Sequence, residues 1–128
     1  MLKELPATQV HGEPRRRWFA DEHFDLIVWL GEDDRVEGFQ LCYDLGHAEH
    51  ALTWDRNGGY SHDRIDDGES SPTRNRTPIL VTDGHFPGSE VLSRLEASCA
   101  QVGAPIRSFV VEKIRAYTDR QRGGAPYP

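Results

Sequence analysis

Several features that identify common protein classes are missing from this chain of 128 residues. It has only two cysteines, Cys42 and Cys99, which excludes a disulfide framework, and their spacing matches no zinc motif. No hydrophobic run approaches the roughly 18 residues that span a bilayer, and the first residues lack the apolar segment of a secretory signal. We therefore expect a cytoplasmic protein without a membrane partner, with both thiols reduced and buried.

Basic charge is scarce as well. The 15 lysine and arginine residues are outnumbered by 21 aspartate and glutamate residues, and the net charge is -6. A nucleic-acid-binding protein needs a basic surface to displace counterions, so no nucleic-acid partner is expected. The chain also has no phosphate-binding loop, dinucleotide fingerprint or nucleophile elbow. Because these motifs are missing, the sequence leaves the cofactor unknown.

What the chain does contain is a clear alternation of apolar and polar residues, which is typical of β-strands with one buried face. The apolar positions of one parity are Phe24, Leu26, Val28 and Leu30, then Phe39, Leu41 and Tyr43, then Leu52 and Trp54. This pattern predicts strands over 24–30, 35–43 and 48–55, joined by turn-rich segments. Further strands are predicted over 16–20, 59–65 and 78–82, which gives an antiparallel meander.

The period changes after residue 88, where apolar residues recur at helical spacing. One stripe consists of Leu92, Leu95, Cys99 and Val102, and a second of Ile106, Phe109, Val110, Ile114 and Tyr117. Two helices are therefore predicted, with a strand over 109–111 as the alternative to the second. The predicted fold class is α+β: an antiparallel β-meander sheet of five to six strands with two C-terminal helices packed on one face. Residues 1–128 form a single domain, in which 1–14 are an N-terminal arm and 118–128 a flexible tail.

Two helices cover only one face of the sheet, and the opposite face carries Ile27, Trp29, Gly38 and Gln40. Three covers are considered for it: the arm, a second copy of the chain in a homodimer, or a small-molecule ligand. The ligand-binding residues would be Trp29, Gln40, Thr53 and, from the next strand, Tyr60, His62 and Arg64. The place of that strand depends on its turn, because a two-residue Asn57-Gly58 turn and a longer loop including Gly59 differ by one residue in register.

The segment Asp83-Gly84-His85 is the candidate catalytic group, because it follows a strand and precedes a helix. A carboxylate two residues from a histidine can orient the imidazole for general base catalysis, although an ordinary turn gives the same pattern. Six histidines are present, but their spacing predicts no metal site.

The function expected from the sequence is a non-enzymatic binding or interaction module, homodimeric through the sheet or bound to a small molecule. The alternative is a hydrolase-like or metal-assisted enzyme that uses Asp83 and His85.

Overall fold

The protein is described by a computed structural model that covers residues 1–46, 48–66, 79–82 and 85–122. Seven strands form one antiparallel sheet in which each strand pairs with the next along the chain. The strands are β1 Lys3–Leu5, β2 Arg15–Ala20, β3 Phe24–Leu30, β4 Val36–Tyr43, β5 His50–Asp55, β6 Gly59–Asp66 and β7 Ile79–Thr82. Two helices follow, α1 Gly88–Ser98 and α2 Ala104–Arg122. The predicted α+β meander is confirmed, and the additional strand is β1, which belongs to the predicted arm.

The apolar parity recognised in the sequence forms the core of the protein. Its residues in β3, β4 and β5 are buried, and the helices cover them with a second layer of buried side chains that includes Leu95 and Ile114. Trp54 contacts the edge of Phe109 of α2, with ring centroids 5.2 Å apart. Each large apolar side chain buried in this way stabilises the fold by about 1.5–3 kcal/mol, so the two-layer packing accounts for most of the stabilisation.

Helix α2 is longer than the sequence pattern indicates. Residues 109–111 are helical rather than extended, and the helix continues through 118–122, which the sequence assigns to a flexible tail. Thr118 is buried, and its Oγ1 donates a hydrogen bond to the carbonyl of Ile114 at 2.9 Å. The last part of the predicted tail, 123–128, lies outside the described residues.

The N-terminal arm is fixed to the rest of the protein at several points. The side chain of Leu2 is fully buried, and its amide donates a hydrogen bond to the carbonyl of Ser98 at 2.9 Å. After β1 the chain passes the face that points away from the helices, where Pro6 lines a small cleft with Trp18 and Ile27. The arm therefore covers the β2–β3 side of that face.

Strands β3 and β4 pair in a register that the sequence does not predict. A four-residue loop would place Gly38 opposite Ile27, whereas Gly38 lies opposite Trp29 and Gln40 lies opposite Ile27. Two differences of one residue each are the cause: the loop has five residues rather than four, because Leu30 pairs with Val36, and a β-bulge lies between Trp29 and Leu30. Together they shift the register by two residues, so beyond the bulge the apolar and polar faces of both strands are unchanged.

Asp21 organises the turn between β2 and β3. Its Oδ1 accepts hydrogen bonds from the amides of His23 and Phe24, each at 2.8 Å. Burial alone would raise the pKa of Asp21, but the amides of Phe24 and His23, together with the amino group of Met1, hold the pKa below its usual value. Because the folded-state pKa is lowered, the stabilisation is present above the pKa of the unfolded chain and is lost as the pH falls through the folded pKa.

Replacing Asp21 with alanine is expected to lower the free energy of unfolding by about 1–2 kcal/mol at pH 7, because two turn amides lose their acceptor. Asp21→Asn keeps the acceptor and should lose less. Urea denaturation between pH 7 and pH 2 tests both changes, and the difference from the wild type should shrink in acid. The exposed neighbour Glu22 provides the control, and an equal loss in Glu22→Ala would contradict this role of Asp21.

Candidate functional site: the Trp29 cleft

Three residues predicted to bind a ligand lie together on the sheet face that points away from the helices. Gln40 of β4 pairs with Thr53 of β5, and its Nε2 donates a hydrogen bond to the Thr53 Oγ1 at 3.1 Å. Trp29 and Thr53 line one cleft, which has a volume of about 520 Å³. Gln40 supports Thr53 without lining this cleft, which we name the Trp29 cleft.

The other three predicted ligand residues, Tyr60, His62 and Arg64, lie on the opposite face of the sheet. Asp55 pairs with Gly59 and Leu52 pairs with His62, so β6 directs His62 toward the helices. The turn is longer than the two-residue Asn57-Gly58 option, and Gly59 has a φ of +77°, a conformation that glycine adopts without steric cost. One residue of register transfers every side chain of β6 to the other face, which separates His62 and Arg64 from Trp29.

The Trp29 cleft is assembled from five parts of the chain. Trp29 and Gly31 come from β3 and its loop, Glu37 and Gly38 from β4, Thr53, Trp54 and Asp55 from β5, Asn57 from the following turn, and Glu13 and Pro14 from the arm. The arm thus supplies one wall and the sheet supplies the floor. This part of the chain showed no binding motif, because its lining residues are spread over more than 40 positions.

Two glycines make space in the cleft. A Cβ on Gly38 would lie 2.9 Å from the carbonyl oxygen of Trp54 and 3.7 Å from Cε3 of Trp29, so the indole packs against the β4 backbone where no side chain projects. A Cβ on Gly31 would lie 2.6 Å from Oε2 of Glu37. Both positions therefore require the smallest residue for the present packing of the aromatic wall and the carboxylate.

Carboxylates dominate the charge of the cleft. Glu37 forms ion pairs with Arg35 at 3.0 Å and with Arg56 at 3.5 Å. Glu13 pairs with Arg16 at 2.9 Å. These arginines do not line the cleft. The ten described residues that line it include no lysine, arginine or histidine.

Asp55 is the third carboxylate of the Trp29 cleft. Its Oδ1 accepts a hydrogen bond from the amide of Asn57 at 2.7 Å, which stabilises the turn after β5. Among the described residues it forms no ion pair. The cleft therefore combines one aromatic wall with hydrogen-bond acceptors and at least one carboxylate that has no described cation beside it.

His62 belongs to a second polar group, buried between the sheet and the helices. Its Nε2 lies 2.5 Å from the hydroxyl of Tyr43, and the two rings are stacked. His50 stacks on both rings, and Phe86 contacts them edge-on. The hydrogen bond between Tyr43 and His62 satisfies polar atoms that would otherwise be costly to bury, which is a structural role. The sequence missed this pair because it becomes evident only with the register of β6.

The predicted catalytic group is not brought together in the part of the chain that the structure describes. Asp83 and Gly84 lie outside the described residues. His85 is exposed and forms no hydrogen bond with a described residue. It lies at the rim of a shallow cleft beside Ser89, Glu90 and α2. The catalytic role of Asp83 and His85 stays a prediction.

Neither cysteine has the lowered pKa of an activated nucleophile. Burial, reinforced by the carboxylates of Asp25 and Glu49, raises the pKa of Cys42 to about 12. Burial also raises the pKa of Cys99. Both groups are therefore protonated thiols at neutral pH, whereas the thiolate is the reactive form.

Two further properties concern metal ions and membranes. Across residues 1–46, 48–66, 79–82 and 85–122, no three histidine, cysteine, aspartate or glutamate side chains are placed to hold a metal ion together. Neither described helix is long and apolar enough to cross a bilayer.

Comparison with protein-family models, with curated proteins and with solved structures finds no match to this chain. The functional assignment therefore depends on the geometry of the clefts and on the chemistry of the residues around them.

Proposed function

We propose that this protein is a non-enzymatic binding module and that the Trp29 cleft binds a small organic molecule. The observation that supports the proposal is a cleft of about 520 Å³ with an indole as its wall. Small-molecule sites are usually concave, have volumes of roughly 300–1,000 Å³, and combine apolar or aromatic walls with a few polar groups. Thr53, Asn57 and the carboxylates provide such polar groups at the rim.

Binding without catalysis agrees with the residues around the cleft. A hydrolytic site needs a nucleophile or an activated water, with a base in hydrogen-bond reach. Among the described residues, no histidine, lysine or cysteine lines the Trp29 cleft. Its carboxylates are engaged by arginines or, for Asp55, by the amide of Asn57. The imidazole of His62, which the sequence associated with Trp29, is directed to the other face of the sheet.

Edge pairing of a second copy of the chain with β2 is not expected, because that strand is already covered. Strand β1 pairs with residues 18–20 of β2. Beyond it, the side-chain amide of Gln9 accepts a hydrogen bond from the amide of Arg16 at 2.9 Å and donates one to its carbonyl at 3.0 Å. Gln9 thus takes the place of a neighbouring strand, and the backbone groups of Arg16 are satisfied.

A neutral fluorescent probe, N-phenyl-1-naphthylamine, tests the proposal on the full chain. The probe should bind with a stoichiometry of one per chain, and its emission should rise as it enters the cleft. Trp29→Leu removes the aromatic wall and is expected to weaken binding at least tenfold, which corresponds to about 1.4 kcal/mol. Fluorescence titration gives both the stoichiometry and the dissociation constant.

Trp18→Phe is the matched control, because Trp18 lines the separate cleft beside Pro6 and Ile27. Its affinity for the probe should equal that of the wild type. Light scattering on the same samples should give the mass of a monomer. A stable dimer that dissociates in Trp29→Leu would replace the ligand with a second copy of the chain, and probe binding that is unchanged in Trp29→Leu would contradict the site.

A further inference from the structure

We infer that the ligand of the Trp29 cleft is a small organic cation, with an alkylammonium group held between the indole of Trp29 and the carboxylate of Asp55. The inference rests on the proposed function of the same cleft and adds the charge of the ligand. It depends on three observations: the charge of the described lining residues, the absence of a described lysine or arginine over the Trp29 ring, and the size of the cleft. Arg16 is the cross-strand partner of Trp29, but its guanidinium is paired with Glu13.

The described lining residues provide negative charge only. Three of the ten are carboxylates, and none is basic. Glu13 and Glu37 have arginine partners outside the cleft, and these pairs are partly exposed to solvent, where ion pairs contribute little and are screened by salt. A carboxylate also has more acceptor sites than one guanidinium occupies. Asp55, which has no ion pair with a described residue, is the strongest candidate for contact with a cation.

The aromatic rings of this protein commonly have cations beside them. Lys113 lies 4.6 Å from the ring centre of Trp54, Arg120 lies 5.1 Å from that of Tyr60, and Arg17 lies 5.3 Å from that of Phe19. Among the described residues no lysine or arginine has this relation to Trp29. Tryptophan is the best aromatic partner for a cation, and a ligand ammonium can occupy a position that a side chain occupies elsewhere.

The cleft has room for a cation with alkyl substituents. A volume of about 520 Å³ accommodates a substituted ammonium ion. A quaternary ammonium group also presents methyl groups, which pack on the indole, and it needs no hydrogen-bond acceptor in return. The expected ligand is thus an alkylammonium compound of low molecular mass.

Three probes of nearly equal shape test the charge: choline, the neutral 3,3-dimethylbutan-1-ol, and the anion 3,3-dimethylbutanoate. Titrations of the full chain are followed through the indole Nε1–H resonance of Trp29, which is assigned as the signal that disappears in Trp29→Leu. Choline should bind at least fivefold more tightly than the alcohol, and the anion should bind most weakly. The preference for choline should decrease as salt is added.

Asp55→Asn is the decisive variant, because asparagine keeps the acceptor for the Asn57 amide and removes only the charge. It should reduce the affinity for choline about threefold to tenfold and leave that for the alcohol unchanged. Asp119→Asn, an exposed change of equal charge on α2, should have no effect.

Equal affinities for choline and the alcohol would overturn the inference, as would equal effects of Asp55→Asn and Asp119→Asn. If the naphthylamine probe still binds in a Trp29-dependent way, the proposed function survives that result. If no probe binds, both are overturned.

Discussion

Replacing Phe86 with alanine is expected to lower the free energy of unfolding by about 3–5 kcal/mol. The side chain is fully buried, although it belongs to the short segment before α1 rather than to a helix or strand. Its ring contacts Tyr43, His62 and Tyr117, with centroids 5.3 to 5.7 Å apart. It therefore joins β4, β6 and α2, and alanine would leave a cavity at the point where these three elements meet.

The backbone of Phe86 makes the segment rigid enough for this role. Its amide donates a hydrogen bond to Oε1 of Gln121, and its carbonyl accepts one from Nε2 of the same side chain, both at 2.9 Å. Since the backbone is held at both groups, the segment is not expected to move into the cavity, and the loss should be near the upper part of the range.

Urea denaturation of the wild type, Phe86→Ala and Phe86→Leu tests this expectation. Leucine keeps most of the apolar volume and should cost clearly less than alanine. Phe109→Ala is a second comparison, because Phe109 is only partly buried. A loss below about 1 kcal/mol in Phe86→Ala would show that the ring does not hold these elements together.

The contrast between Phe86 and the strands shows which parts of the fold the sequence could predict. The alternation from Phe24 to Trp54 is a local signal, because period two follows from strand geometry alone. The strands, the helices and the buried face were predicted from such periods and are confirmed. Phe86 has no periodic neighbours, and its burial depends on contacts with Tyr43 and Tyr117, which are 43 and 31 positions away.

Register is the second quantity that the sequence left open. Between β3 and β4 a five-residue loop and the bulge together shift the pairing by two residues, and beyond the bulge the faces of both strands stay as predicted. Between β5 and β6 a one-residue difference in the turn reverses the faces. The register therefore decides which candidate ligand residues lie together. Trp29 and Thr53 line one cleft, whereas His62 and Arg64 would face it only with the shorter turn.

The carboxylates of the Trp29 cleft could not have been found by pattern. Glu37 lies next to the bulge, and Glu13 lies in the arm, which the sequence describes only as a segment with few apolar residues. Their approach to Trp29 depends on the path of the arm and on the small size of Gly31 and Gly38. The mid-strand glycine, Gly38, was the one available signal in this region.

Replacing Gly88 with alanine is expected to lower the free energy of unfolding by about 3 kcal/mol, at the upper end of what overpacking costs. Gly88 is the first residue of α1 and is buried against α2. An added Cβ would overlap the side chain of Thr118, lying 2.5 Å from its Cγ2 and 2.7 Å from its Cβ. Thr118 is itself buried and hydrogen-bonded to the Ile114 carbonyl, so the overlap is relieved only if the helices separate.

Gly103→Ala provides a matched control for Gly88→Ala, since the nearest atom to an added Cβ there is 4.0 Å away. Chemical denaturation should show almost no loss of stability for Gly103→Ala. Thr118→Ala in the Gly88→Ala background should recover part of the loss, because it removes the Oγ1 and Cγ2 contacts and keeps only the Cβ contact. If Gly88→Ala and Gly103→Ala are equally stable, the close approach of α1 and α2 at this point is contradicted. If the double variant is less stable than Gly88→Ala, the Thr118 hydrogen bond contributes more than the overlap costs.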